Sequence, residues 1–241
     1  SSSGGLAALA SLPPPSRSVR VRMCAWTRTQ VANEAVESAR RGLCVLCIAN
    51  TVAQAQAWYC SILAEMPSGA FRVGLLHSKF VGAHRAEKEV VGMPQLGRDG
   101  ERPEGCILVA TQVVEQSVDI DADRLIAELA PTDMLLQRLG RLWRHPRTNR
   151  PVAEPELSIV SSDLPTDATP DQLREALGIP NTYVYSTYVL CRSHAVWKRM
   201  DGACILVPDC VRELLTKTYK TLGTEPEAWR TVSYHDLVRA A

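Results

Sequence analysis

The chain has 241 residues, 46% of them hydrophobic, with 27 Lys and Arg against 26 Asp and Glu for a net charge of +1. That length and apolar content support one large domain, or one domain and an extension, and exclude wholesale disorder. The balanced charge excludes a global basic field, so a polyanion site has to be a local concentration of charge; no run of about 18 uncharged apolar residues offers a membrane-spanning helix.

Residues 1–16, SSSGGLAALASLPPPS, read as a flexible linker ending in a stiff triple-proline spacer, and they lack the positive start of a signal peptide. RSVRVRMCAW (17–26) alternates like a strand with one wet face. TRTQVANEAVESARRG then predicts a helix capped by Thr27 and stopped at Gly42. LCVLCIA (43–49) is a continuous apolar run, the mark of a central parallel strand covered on both faces. Asn50 and Thr51 form a capping pair ahead of the helix TVAQAQAWYCSILAEM.

The alternation continues with a strand at FRVGLLH (71–77), a short helix at AHRAEKEVV (83–91) and a Gly/Pro-rich loop. CILVAT (106–111) and RLIAELA (124–130) are strands, PTDMLLQRLGRLWRH (131–145) is a helix opened by Pro131, and ELSIVSS (156–162) is a further strand. This order predicts an α/β fold over 17–163, a parallel sheet with helices on both faces and function gathered at the carboxyl ends of the strands. After Asp163 comes a proline-punctuated connection (164–180), then three helical stretches, so 164–241 read as a small, mainly helical extension.

Of the eight cysteines, Cys44, Cys47, Cys60, Cys106 and Cys191 sit in apolar runs and read as core thiols. On a strand, Cys44 and Cys47 point to opposite faces, and no second pair completes a zinc set. Free thiols imply a reducing compartment, the cytoplasm.

Gln137 to Arg150 carries five arginines and no acid. At about 100° per residue, Leu135, Leu139 and Leu142 share an inward stripe, and Gln137, Gly140, Arg141 and Arg144 share an outward one. Arg138 falls to the side, and Pro146 closes the helix, leaving Arg147 and Arg150 in the next loop. The outward face has two readings. It is a solvated face pairing nearby acids, or a bidentate grip on phosphate with Gly140 allowing close approach. A glycine inside a helix costs about 1 kcal/mol relative to alanine, which asks for a reason.

QRLGRLWR resembles motif VI of superfamily 2 helicases, Q-x-x-G-R-x-x-R, and VATQVVEQSVDID (109–121) resembles their motif V. ANT (49–51) and LHSKF (76–80) match the strand ends before them, and the linking ELAPTD completes a wording similar to the signature helicase-nuclease family of type I CRISPR systems. The resemblance implies a RecA-like fold and an active site split between two RecA-like domains, of which 17–163 is the second. The sequence has no Gly-Lys and no Asp-Glu dipeptide, hence no phosphate loop and no acidic magnesium box. The resemblance thus implies that ATP and Mg2+ are bound mainly by a first domain outside this chain, and a nuclease metal by another.

By the same resemblance Arg141 and Arg144 are arginine fingers, and Gln137 contacts the γ-phosphate or the attacking water. Asp119 holds the ribose or the opposing arginine, and Gly140 and Arg138 complete the nucleotide-side set. Thr111 and Gln112 touch the DNA backbone. Glu115, Gln116 and Ser117 couple that contact to the cleft, and His77, Ser78 and Lys79, with Arg85, line the strand track. The implied activity is ATP-driven 3′→5′ translocation on single-stranded DNA by a monomer recruited to an RNA-guided CRISPR surveillance complex, with no membrane involved. Two rivals remain: a superfamily 2 motor acting on RNA, and a binding module without ATPase activity.

Three patterns are set aside. His235 and Asp236 spell a nuclease dyad, but the five histidines are scattered and no metal site is expected in this chain. Asp119, Asp121 and Asp123 begin like a calcium loop, yet Arg124 and Ala130 stand where glycine and glutamate are needed. Trp58, Trp143, Trp197 and Trp229 read as packing residues, Trp143 being the one worth testing as a base-stacking platform.

Overall fold

The computed structural model describes residues 16–66, 71–77, 96–97, 102–115, 119–220 and 225–240. Seven strands, β1 (Arg17–Cys24), β2 (Cys44–Ile48), β3 (Arg72–Leu76), β4 (Cys106–Ala110), β5 (Arg124–Glu128), β6 (Glu156–Val160) and β7 (Cys204–Val207), form one sheet in the order β3-β4-β2-β5-β6-β1-β7. Every pairing is parallel except that of β7, which runs antiparallel along β1. The continuous apolar runs CVLCI and CILVA are buried at every position, because helices cover both faces of the sheet.

On one face α1 (Arg28–Arg40) and α2 (Val52–Glu65) pack over Val45, Cys47, Ile107, Val109 and Ile126. Thr27 caps α1 in a reciprocal capping box with Gln30. Gly105, at φ +78, passes so close beneath α1 that a Cβ would meet the Ala39 carbonyl oxygen at 2.2 Å, so only glycine fits. The other face packs Leu46, Ile48, Leu108, Leu125, Leu157 and Ile159 under α3 (Thr132–Leu139) and the C-terminal helices. Cys44 and Cys47 fall in the opposite core layers, as their spacing requires. All eight cysteines are free thiols. Cys60 departs from expectation and is exposed, because it lies about 200° round α2 from the buried Trp58.

The C-terminal region is mainly helical, with two corrections. The segment read as a connection holds α4 (Pro170–Leu177) and α5 (Ile179–Val184), and Thr169 and Gln172 form a capping box on α4. After α6 (Thr187–Lys198) the chain returns β7 to the sheet before α7 (Val211–Tyr219) and α8 (Glu227–Ala240). The extension therefore shares the sheet and is not only stacked against it. The expected linker up to Pro15 and the short helix at 83–91 lie outside the described residues.

Candidate nucleotide and nucleic-acid site

The arginine run does not continue as one helix. α3 ends at Leu139, and Gly140 caps it with its N–H on the carbonyls of Leu136 (3.2 Å) and Gln137 (3.1 Å). Arg141 and Leu142 then reach back three residues, to Arg138 and Leu139, and tighten the last turn. The backbone next leaves to pair with Ala122, which donates to the Arg141 carbonyl and accepts from the Trp143 N–H, each at 2.9 Å. The expected outward stripe through Arg144 is corrected accordingly: Gly140, Arg141 and Arg144 stand beyond the helix. A Cβ at position 140 would lie 3.0 Å from the Gln137 carbonyl, so the glycine serves this turn of the chain itself.

The turn sorts the five arginines by environment. Arg138, expected on the nucleotide side, is fully buried. Its Nε donates to Glu115 at 2.8 Å, Nη1 to the Glu128 carbonyl at 3.1 Å, and Nη2 to Asn50 Oδ1 at 3.0 Å and the Tyr185 hydroxyl at 3.3 Å. Arg141 is nearly buried and donates to the Glu115 carbonyl at 2.9 Å. Arg144 is 41% exposed and meets Asp119, itself 44% exposed, at 3.1 Å. Arg147 and Arg150 bind the buried Asp121 at 2.5 and 2.8 Å, and Arg150 also binds Asp123 at 3.0 Å. Arg102 joins both carboxylates, and the Arg150 guanidinium stacks on Trp143 at 4.6 Å.

Three arginines at three-residue spacing thus meet two motif V residues: Arg138 holds the Glu115 carboxylate, Arg141 the Glu115 carbonyl, and Arg144 the Asp119 carboxylate. Burial, followed by the like charge of Arg144, lowers the Arg141 guanidinium below its ordinary value. An anion placed beside the two would relieve that repulsion. Gln137 lies on the exposed side of α3, next to Gly140 at its end. His145 Nε2 is 2.8 Å from Asp119, so Asp119 faces both Arg144 and His145.

Of the residues expected to touch DNA, His77, Thr111 and Gln112 sit at the carboxyl ends of β3 and β4 and make contacts within the domain. Thr111 and His77 are buried, the Thr111 N–H donating to the Leu76 carbonyl at 3.1 Å. The His77 Nε2 lies 3.5 Å from Gln56. Gln112 opens a short 3-10 helix (Gln112–Glu115) and donates its amide to the Asn50 carbonyl (2.8 Å) and the Tyr185 hydroxyl (3.1 Å). Gln112, expected to touch the DNA backbone, thus ties parts of the domain together. Glu115, at the end of the same short helix, contacts Arg138 and Arg141. Gln116, Ser117, Ser78, Lys79 and Arg85 lie outside the described residues.

Sequence reasoning missed Asn50, Asn181, Tyr185 and Glu128. Asn50 was read with Thr51 as a cap, yet Thr51 alone caps α2 while Asn50 joins Arg138, Leu129 and Asn181. A polar residue straight after a fully apolar strand is the signal that marks it. Asp236 accepts from Ser186 (2.6 Å) and the Tyr188 N–H (3.1 Å) at the start of α6, a capping task. Among the described residues no three His, Cys, Asp or Glu side chains gather as a metal site. The guanidinium pair fits phosphate oxygens; the described residues offer no comparable seat for Mg2+.

Residues 41–147 match the family model described as CRISPR-associated nuclease/helicase Cas3, C-terminal. The chain is 36% identical over 195 residues to the CRISPR-associated endonuclease/helicase Cas3 of Escherichia coli (strain K12), covering 80% of this chain and 21% of that protein. It is 39% identical over 160 residues to the protein of the same name in Thermus thermophilus, covering 65% of this chain and 16% of that one. The chain therefore spans about a fifth of these relatives' length. Among solved structures, T. fusca Cas3-AMPPNP superposes with a TM-score of 0.80 at 31% identity, over 95% of this chain and 26% of that one. A chain in a CRISPR RNA-guided surveillance complex, pre-nicking, gives 0.75 at 28% identity, over 94% of this chain and 28% of that one. The sheet and these likenesses point one way: the chain is similar to the C-terminal, second RecA-like helicase domain of Cas3 proteins.

Proposed function

We propose that this chain is one wall of a split ATP site in a DNA-translocating helicase-nuclease. The observation that carries the reading is the ladder of Arg138, Arg141 and Arg144 against Glu115 and Asp119. Arg138 fixes the loop from inside. Arg144 forms the exposed end, with the buried Arg141 and the exposed Gln137 beside it, and the group faces a γ-phosphate held by the first domain. When bound, ATP with Mg2+ supplies the phosphoryl group transferred to water; the arginines stabilise the charge that develops on it, an effect typically worth about 10³–10⁵ in rate. Asp119 parks Arg144 between turnovers and releases it when a stronger anion arrives. The carboxyl ends of β3 and β4, at His77 and Thr111, lie beside the single-strand track, and Glu115 passes the state of that track to Arg138 and Arg141.

In this reading the RecA-like unit is 17–163 and the extension 164–241. The nuclease metal lies in another domain, and the partners of the whole cytoplasmic protein, acting as a monomer, are single-stranded DNA and an RNA-guided CRISPR surveillance complex. No helix among the described residues is long and apolar enough to cross a membrane. The test is ATP turnover by the full-length protein with single-stranded DNA, with RNA and with neither, beside the isolated chain. DNA should stimulate turnover and RNA should not, and the isolated chain should hydrolyse nothing. Stimulation by RNA alone makes it an RNA motor, and turnover by the isolated chain contradicts the two-wall site.

A further inference from the structure

We propose that Tyr185 is a positioning residue through which the C-terminal extension couples strand occupancy at the sheet edge to the arginine ladder. The inference rests on the split-site reading above and goes beyond it, since it gives the extension a task in turnover. Four parts of the domain converge at one point: Asn50 after β2, Gln112 after β4, Glu128 ending β5, and Arg138 in α3. Asn50 is the hub. Its N–H donates to Glu128 at 2.6 Å, its carbonyl accepts from Gln112 at 2.8 Å, and its Oδ1 accepts from Arg138 at 3.0 Å.

Two residues of the extension close this network. Asn181 Oδ1 accepts from the Asn50 amide at 3.2 Å, and the Tyr185 hydroxyl accepts from both Gln112 (3.1 Å) and Arg138 (3.3 Å). α5 buries only Thr182 of its six residues and leaves Ile179 and Val184 exposed, so these polar ties set much of its position.

The connectivity makes a lever. Gln112 opens the short helix whose far end, Glu115, holds Arg138 and Arg141. Tyr185 grips Gln112 at the near end and Arg138 at the far end. A strand that displaces residues 112–115 then moves Arg138 as one body with them, and Arg141, three residues on, follows. Without the hydroxyl, Gln112 and Arg138 communicate only through Asn50 and Glu115. Both donors keep those other partners, so removing the hydroxyl orphans neither, and the ring of Tyr185 continues to pack on the core.

The experiment uses the full-length protein with Tyr185→Phe, Gln112→Ala and the double variant. It measures ATP turnover with and without a single-stranded oligonucleotide, the KM for ATP, and oligonucleotide binding by fluorescence anisotropy. For Tyr185→Phe, turnover without DNA, the KM and DNA binding should stay within about twofold of the parent, while stimulation by DNA falls about tenfold, in the range of inter-site coupling. The double variant should lose no more stimulation than Gln112→Ala alone, because the two side chains act in series. Equal loss of basal and stimulated turnover marks a merely structural role and overturns the proposal, as does full stimulation or multiplied losses in the double variant. A parent enzyme that DNA does not stimulate overturns the split-site reading itself, a result distinguishable from all of these.

Discussion

Asp119 and Asp121 stand two residues apart before the same strand, in opposite environments. Asp121 is fully buried among Arg102, Arg147 and Arg150, whereas Asp119 is 44% exposed and shared by Arg144 and His145. Burial alone would raise the Asp121 carboxyl, yet hydrogen bonds from Arg147 and Arg150 and the charge of Arg102 hold it below its ordinary 3.8. The two halves of the arginine run therefore have different tasks. The later half closes an internal ion network around Asp121 and Asp123, and in the earlier half Arg138 and Arg141 are buried while Arg144 leaves its guanidinium half in solvent against Asp119.

That contrast is broken or sharpened by stability measurements on the chain. Asp121→Ala leaves buried guanidiniums without their carboxylate and should destabilise by about 3–5 kcal/mol in urea unfolding. Asp119→Ala removes a half-exposed pair and should cost less than about 1 kcal/mol. Equal losses would mean that both carboxylates are structural. Acid separates them next. Asp121 has its native value depressed, so its contribution is complete above about pH 4 and is lost as the pH falls through that value. Asp121→Asn should flatten the acid limb of the stability profile; an unchanged limb would remove Asp121 from the account. The smallest effect belongs to Arg144→Ala, under about 0.5 kcal/mol, and added salt should erase it because the pair faces solvent.

The strands at 43–49 and 106–111 were legible because a strand covered on both faces needs an unbroken apolar run, and little else produces one. The end of α3 was not. The helical stripe Leu135, Leu139, Leu142 stays buried throughout, so periodicity gave no warning. The break is set by Ala122, some twenty residues upstream, whose backbone claims Arg141 and Trp143. The burial of Arg138 has the same origin, since its partners come from positions 50, 115, 128 and 185. β7 was hidden because four residues between two helices carry too short a pattern. The capping box at Thr169 and Gln172, by contrast, was written in the sequence and marks the start of α4. For the site, spacing alone could not tell which arginine of five reaches solvent.

The central claim, that the exposed end of the ladder completes a phosphate site held elsewhere, is tested most directly by measuring ATP affinity and ATP turnover on one preparation of the full-length protein carrying Arg141→Ala and Arg144→Ala. The account predicts affinity within about threefold of the parent and turnover lower by about 10³ or more, because the fingers act in the transition state more than in binding. Turnover near that of the parent, or affinity and turnover lost in equal measure, would contradict it.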